Sequence, residues 1–578
     1  MAWPFDADLL LVHAPSVYDF RKRTILFGPV SDVVPSTPVF EMYPVGFTSI
    51  AEYLHGLGYR TRILNLANRM LGDPAYDPVR VLARRKPRVA FGIDLHWLPH
   101  AHGAIEVARL VKRIHPAVPV VMGGLAATYF HEELIRYDCV DYVLRGDSTE
   151  RPFGMLMDAL AKGTGDFAAI PNLTWKDAAG AIRVNPLSHV ETDLDAFTNN
   201  YLRMFTAGIR YADVRNMIPF HDWWTYPITA VMTCRGCTQN CVICGGSKTG
   251  YGTYAGRPGV AFRSPERLAL DVRRVARYTH APIFLIGDLR QGGAAYANRV
   301  LELLAPRRIR NYMVLELFAG ASEAWMDAVA RTFQNFNFEM SPETHDETIR
   351  AGGGKPYTNR EVEDAIAMAL ARGARKFDVY FMVGLPRQSY DSVMATVDWC
   401  ESLMKRFDKR LSLFISPLAP FLDPGSIAYE NADAYGVKIL FRGLEAHRQA
   451  LTEPSWKTTL NYETDAMTRD EIVAATYEAA RRLNRLKGKY GRLDAETVGR
   501  IDRRIALATE ASGRVDRIVA DIPPGPERDR ALAALKEEVD RASIATVCDK
   551  DEIKWPLVAA RNFQFVRLAR DILLGPKF

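Results

Sequence analysis

Thr233-Cys234-Arg235-Gly236-Cys237-Thr238-Gln239-Asn240-Cys241-Val242-Ile243-Cys244-Gly245-Gly246 follows directly on the apolar run Ile228-Thr-Ala-Val-Met232. Four of the chain's seven cysteines fall between Cys234 and Cys244. The spacing Cys237-x-x-x-Cys241-x-x-Cys244 arises by chance on the order of once per thousand chains of this size and cysteine content. Three thiolates on one loop can hold a cubane [4Fe-4S] cluster, one iron each, and leave the fourth iron open. A zinc knuckle needs a longer loop between its cysteine pairs than Cys237 and Cys241 allow. Cys234 is either a fourth ligand or a buried thiol ending the apolar strand.

Around this loop the chain alternates strands and helices. The pattern predicts strands over residues 228–232, 283–286, 312–317, 336–340, 377–383 and 412–415, with helices beginning near Pro265, Gly293, Ser322, Asn359 and Ser389. Six β/α units make a partial TIM-type barrel, residues 226–425. The carboxylates Asp288, Glu316, Glu339 and Glu343 fall at or near strand C-termini, where a barrel places ligand contacts; each is equally a candidate helix cap or ion-pair member. Strands over 9–13, 60–65, 89–93, 118–122 and 142–145 predict a Rossmann-like α/β domain at 1–165. Its strand ends carry the loops of His96, of Gly123 and Gly124, and of Gly146, which either meet a ligand or only make turns. Residues 166–225 lack a strong period and read as a connecting segment. After Pro424 the strands stop, and 426–578 is mainly helical, with charged amphipathic helices at 469–487, 495–512 and 526–542.

Composition narrows the class. Lys plus Arg at 74 against Asp plus Glu at 68 leaves a net charge of +6, which does not call for nucleic acid as a partner. No apolar stretch approaches the eighteen or so residues of a membrane span. The N-terminus sets Asp6 and Asp8 ahead of a short apolar run with no cleavage-site pattern, unlike a signal peptide. Seven cysteines are too few for a disulfide scaffold, and the expected compartment is the cytoplasm.

The three-cysteine loop after the first strand of a partial barrel resembles the radical S-adenosylmethionine (SAM) enzymes. Ile286-Gly287-Asp288 looks like that family's contact to the SAM amino group, Ser341-Pro-Glu343-Thr344 like its SAM-binding turn, and Val383-Gly384-Leu-Pro386 like its turn beside the adenine. Ile243 stands where the family usually has an aromatic residue. The first domain resembles the cobalamin-binding domain that precedes the barrel in one subgroup, through Tyr43-Pro-Val-Gly46, 58–65, Pro119-Val-Val-Met-Gly-Gly124 and Asp141-Tyr-Val-Leu-Arg-Gly146. Cobalamin domains that ligate cobalt from below carry Asp-x-His-x-x-Gly before the first helix, and residues 14–44 contain no histidine. Asp94-Leu-His96 mimics the motif after the third strand. The resemblance therefore implies cobalamin with no histidine on its lower face. His96, His100 and His102 are either a hydrogen-bonded polar loop or a contact to the corrin or its coordinated water. Trp223-Trp224 and the tyrosines from Tyr251 to Tyr254 line either a substrate or corrin wall, or the core.

The resemblance implies a radical SAM enzyme with a [4Fe-4S] cluster on Cys237, Cys241 and Cys244, which cleaves SAM to a 5′-deoxyadenosyl radical and methylates an unactivated carbon of a small-molecule or lipid-like substrate. It implies a low-potential electron donor such as flavodoxin or ferredoxin. Two other readings stay open: a non-methylating rearrangement, cyclisation or oxidation, and a non-catalytic sensor holding cluster and corrin. Nothing in the sequence names the substrate.

Overall fold

The computed structural model describes residues 6–26, 28–29, 37–163, 165–197, 200–306, 309–418, 421–542, 548–553, 555 and 563–575. In the first domain five strands pair in parallel in the order β2-β1-β3-β4-β5: β1 (Leu9–His13), β2 (Thr61–Asn65), β3 (Ala90–Asp94), β4 (Val120–Gly123) and β5 (Tyr142–Leu144). β1 and β3 are buried at every position, which is the mark of a parallel sheet covered on both faces. Helices Gly46–Gly56 and Glu150–Lys162 cover one face through Phe47, Leu54 and Phe153, and Ala101–Ile114 covers the other.

The segment read as a connection extends this sheet. β6 (Leu173–Lys176) and β7 (Ile182–Val184) add to β5 as antiparallel strands. Both are short, and β7 is exposed at every position, so neither imprints a hydrophobic period on the sequence.

The second sheet is the expected partial barrel. β8 (Thr229–Met232) is followed by a small antiparallel pair, β9 (Cys234–Arg235) with β10 (Ala261–Phe262). β11 (Ile283–Ile286), β12 (Met313–Leu317), β13 (Phe336–Glu343), β14 (Lys376–Val383) and β15 (Leu411–Pro417) then pair in parallel, in sequence order from β8. Their outward side chains form one core with the surrounding helices. The register aligns Glu316, Glu339 and Asp378 on one row.

Strands do not stop at Pro424: β16 (Val437–Ile439) pairs with β17 (Tyr462–Thr464) in a small antiparallel sheet. Three-residue strands show no readable alternation. The rest of the C-terminal region is helical, and Arg469–Lys489 packs on β15 and on helix Tyr390–Arg406. Among the described residues no helix is long and apolar enough to cross a membrane.

Candidate functional site

The cysteine loop leaves β8 and turns back on itself. Cys244 N–H donates to the Cys241 carbonyl at 3.2 Å, and Gln239 N–H to Cys237 Sγ at 3.3 Å. Cys237, Cys241 and Cys244 are free and partly exposed, whereas Cys234 is buried. Gly354 presses on the loop from outside with φ +89°; a Cβ there would lie 2.5 Å from the Asn240 carbonyl oxygen, so only glycine allows the approach. Ile243 packs into the barrel core.

Burial pushes all three thiols up, Cys244 to about 12. Lys355, directly after Gly354, opposes that at Cys237 and Cys241. Its ammonium is buried, lies 2.5 Å from Glu343 Oε1 and donates to the Ser341 carbonyl at 2.7 Å. Against the pull of burial, Glu343 keeps it charged. Sequence reading missed Lys355; the turn Gly352-Gly-Gly-Lys355 was its signal. Glu343 itself has φ +68°, a conformation that aims it at Lys355.

The other barrel carboxylates divide. Asp288 has partners within the protein: it accepts from Arg290 Nε at 2.9 Å and from Phe318 N–H at 2.9 Å. Glu316 accepts Gly287 N–H at 2.5 Å. Burial raises its carboxyl from 4.5 to about 7, with Asp288 adding to the rise. A raised carboxyl pKa favours the folded state only while the group is protonated. Its contribution is thus complete below pH 4.5 and lost as pH rises through 7, about 3 kcal/mol in all. Glu316→Gln is expected to flatten that part of the stability curve of the metal-free protein in urea titrations at pH 5 and pH 8; an unchanged difference would count against it. Glu339 stands beside Glu316 in register. Gly384 spends its N–H on Gln388 and its carbonyl on the Tyr462 hydroxyl, so the turn offers shape alone.

The first domain's candidates converge. His96, Gly123, Gly124 and Gly146 all line one cavity of about 330 Å³. One end is an apolar slot between the sheet and its helices, walled by Leu11, Gly92, Val121 and Phe153; the other reaches Met232, Cys234, Arg235 and Tyr251 of the barrel. Gly124 has φ +122°, and a Cβ would fall 2.4 Å from His96 Cα. A flat macrocycle with an extended tail fits bare loops over an apolar slot. Tyr251 lines this wall, while Trp223 is core, donating to the Ile228 carbonyl at 2.7 Å.

The histidines sit beneath. His96 Nδ1 lies 2.6 Å from Asp94 Oδ2, and His13 Nδ1 3.0 Å from Asp94 Oδ1. Burial would raise Asp94, but His13 and His96 hold it below the carboxylate range. Burial keeps His100 neutral, and lowers His102, which accepts Tyr18 N–H, to about 3. His13, at the carboxyl end of β1, was missed.

Two buried ion pairs fasten the domains. Arg235 holds Glu150, with Nη1 3.0 Å from Oε2, and Arg257 holds Asp147 while donating to Ser148 Oγ at 3.0 Å.

Residues 32–152 match the model of the B12 binding domain, and residues 231–400 that of the radical SAM superfamily. A stretch of 147 residues is 33% identical to the uncharacterized methyltransferase PH0819 of Pyrococcus horikoshii, covering 25% of this chain and 29% of that protein. In fold the chain resembles TsrM, a radical SAM methyltransferase from Kitasatospora setae solved with cobalamin and a [4Fe-4S] cluster (TM-score 0.56, 15% identity, 93% of this chain and 100% of that one). It also resembles OxsB, a cobalamin-dependent SAM radical enzyme solved with aqua-cobalamin and SAM (TM-score 0.50, 11% identity, 93% and 72%).

Proposed function

The chain belongs to the radical SAM proteins that carry a cobalamin-binding domain, and from that premise we propose that it is a cobalamin-dependent radical SAM methyltransferase acting on an unactivated carbon of a small-molecule or lipid-like substrate. One observation carries the reading: the cavity of the glycine loops opens on Met232, Cys234 and Arg235, the strand end from which the cysteine loop departs. When bound, the cluster supplies the electron for reductive SAM cleavage and the corrin supplies a methyl carrier.

The chain's own residues do the rest. Cys237, Cys241 and Cys244 would hold the cluster, and Lys355 offsets negative charge at Cys237 and Cys241. The loops of Gly123, Gly124 and Gly146 would hold the corrin, with His96 lining the same cavity. Glu316, Glu339, Glu343 and the Gly384 turn shape the barrel mouth for SAM, and Asp288 fixes the loop after β11. Burial favours the protonated form of Glu316, whose Oε2 accepts the Gly287 N–H. The Arg235–Glu150 pair fastens the first domain to the barrel beside that cavity. Tyr251, Phe197 and Met232 give the cavity part of its apolar wall.

Anaerobic incubation of the reconstituted holoprotein with SAM and a low-potential reductant tests this. Formation of 5′-deoxyadenosine together with S-adenosylhomocysteine is expected by mass spectrometry. 5′-Deoxyadenosine without S-adenosylhomocysteine selects a non-methylating radical reaction, and neither product sinks the enzyme reading. Purified protein should also take up hydroxocobalamin. His96→Ala should leave the cobalt absorption spectrum unchanged, because a lost contact outside the coordination sphere shifts it little; a large change would make His96 a cobalt ligand.

A further inference from the structure

The floor of the cavity carries a third cluster, separate from the cysteine loop. β1 and β3 are neighbours, and their carboxyl ends bring His13 and Asp94 together, with His96 just beyond. His13 Nδ1 lies 3.0 and 3.1 Å from the two Asp94 oxygens, and His96 Nδ1 lies 2.6 Å from Oδ2. One donor atom from each of the three falls within 4.8 Å of the others.

His13 sets the charge requirement. Its Nε2 lies 3.0 Å from the Phe40 carbonyl oxygen. A carbonyl only accepts, so Nε2 carries the hydrogen, and the neutral ring then has its lone pair on Nδ1. That lone pair faces a carboxylate at 3.0 Å with the side chain fully buried. Two acceptors in contact repel, and the arrangement is stable only with a positive charge between them. His96 turns its Nδ1 to the same carboxylate, so nitrogens of two imidazoles flank one carboxylate.

We propose that His13, Asp94 and His96 form a binding site for a divalent first-row transition ion, with zinc the best match to two imidazoles, one carboxylate and an open fourth position. The Phe40 carbonyl orients His13 as the outer hydrogen-bond partner that ligating histidines commonly have. His100, with its ring centroid 4.8 Å from those of both His13 and His96, walls the site, and its Nδ1 is spent on the Ala14 carbonyl at 3.2 Å. The open position lies on the side of His96, which borders the cavity. A nitrogen and oxygen donor set does not suit an iron–sulfur cluster, so the site is distinct from that of the cysteine loop.

The test uses the full chain bearing Cys237→Ala, Cys241→Ala and Cys244→Ala, free of any affinity tag and stripped with a chelator. Titration with Zn²⁺, and with Co²⁺ followed by its ligand-field absorption, is expected to show about one tight equivalent. Adding Asp94→Asn or His96→Gln should weaken that binding at least about 100-fold. His96 is partly exposed, so its replacement spares the fold, which circular dichroism checks. Absence of a tight equivalent overturns the site, as does binding that His96→Gln leaves unchanged; the charge between His13 and Asp94 is then a proton.

Discussion

Replacing any one of Cys237, Cys241 or Cys244 by Ala is expected to leave the anaerobically reconstituted protein without a stable four-iron cluster and to abolish SAM cleavage. The loop offers three partly exposed thiols and no fourth, because Cys234 is buried and its Sγ lies against Thr233 Oγ1 and the Gly236 carbonyl. Each thiolate secures one iron, so none can be spared. Burial works against the thiolates when no iron is bound, Cys244 most of all, and the metal must recover that cost. Iron and sulfide analysis with 5′-deoxyadenosine detection reads the result. Cys234→Ala is the internal control and should keep both cluster and cleavage. Full cleavage by any of the three variants, or loss of the cluster in Cys234→Ala, would show that the ligands are miscounted.

Arg257→Leu is expected to destabilise the protein by about 3 to 5 kcal/mol, the cost of leaving one member of a buried ion pair without its partner. The Arg257 and Asp147 side chains are 2% and 7% exposed, and Arg257 also donates to the Glu191 carbonyl at 2.9 Å. The loss should appear in urea unfolding as a lower midpoint. Adding Asp147→Asn should recover most of it, since the uncompensated charge then disappears; a double variant no more stable than Arg257→Leu would place the cost in packing instead. Asp147 follows Gly146 in the cavity wall, so Arg257→Leu should also weaken hydroxocobalamin uptake, whereas Arg410→Leu, at a partly exposed pair outside the cavity lining, should not.

The two large sheets were legible because their strands are buried runs several residues long, separated by helices of clear period; all eleven parallel strands stand within a few residues of the expected positions. β6, β7, β16 and β17 were not. They stand outside the regular alternation of strand and amphipathic helix that marked the equally short β4, β5, β8 and β11, and β7 is exposed at every position. The glycine loops were singled out because a parallel sheet places its ligands at strand ends, and the structure gathers them on one cavity; the same rule points to His13, at the end of β1. Asp288 shows the opposite limit: a carboxylate at a strand end looks alike whether it meets a ligand or, as here, holds Arg290 and the Phe318 N–H.

By itself the sequence determined what depends on neighbours along the chain. The spacing of Cys237, Cys241 and Cys244 fixes how many thiols one loop can bring to a cluster, and alternating apolar runs fix two parallel sheets in order. Only the tertiary structure decided which distant groups share a space. Lys355 reaches the cysteine loop because Gly354 permits contact with Asn240. His13 and Asp94, far apart in the chain, meet because β1 and β3 pair. Glu316 acquires its raised pKa from burial that no local pattern encodes. Spacing is a covalent property and survives in the sequence, whereas desolvation and charge pairing are set by whatever the fold brings within a few ångströms.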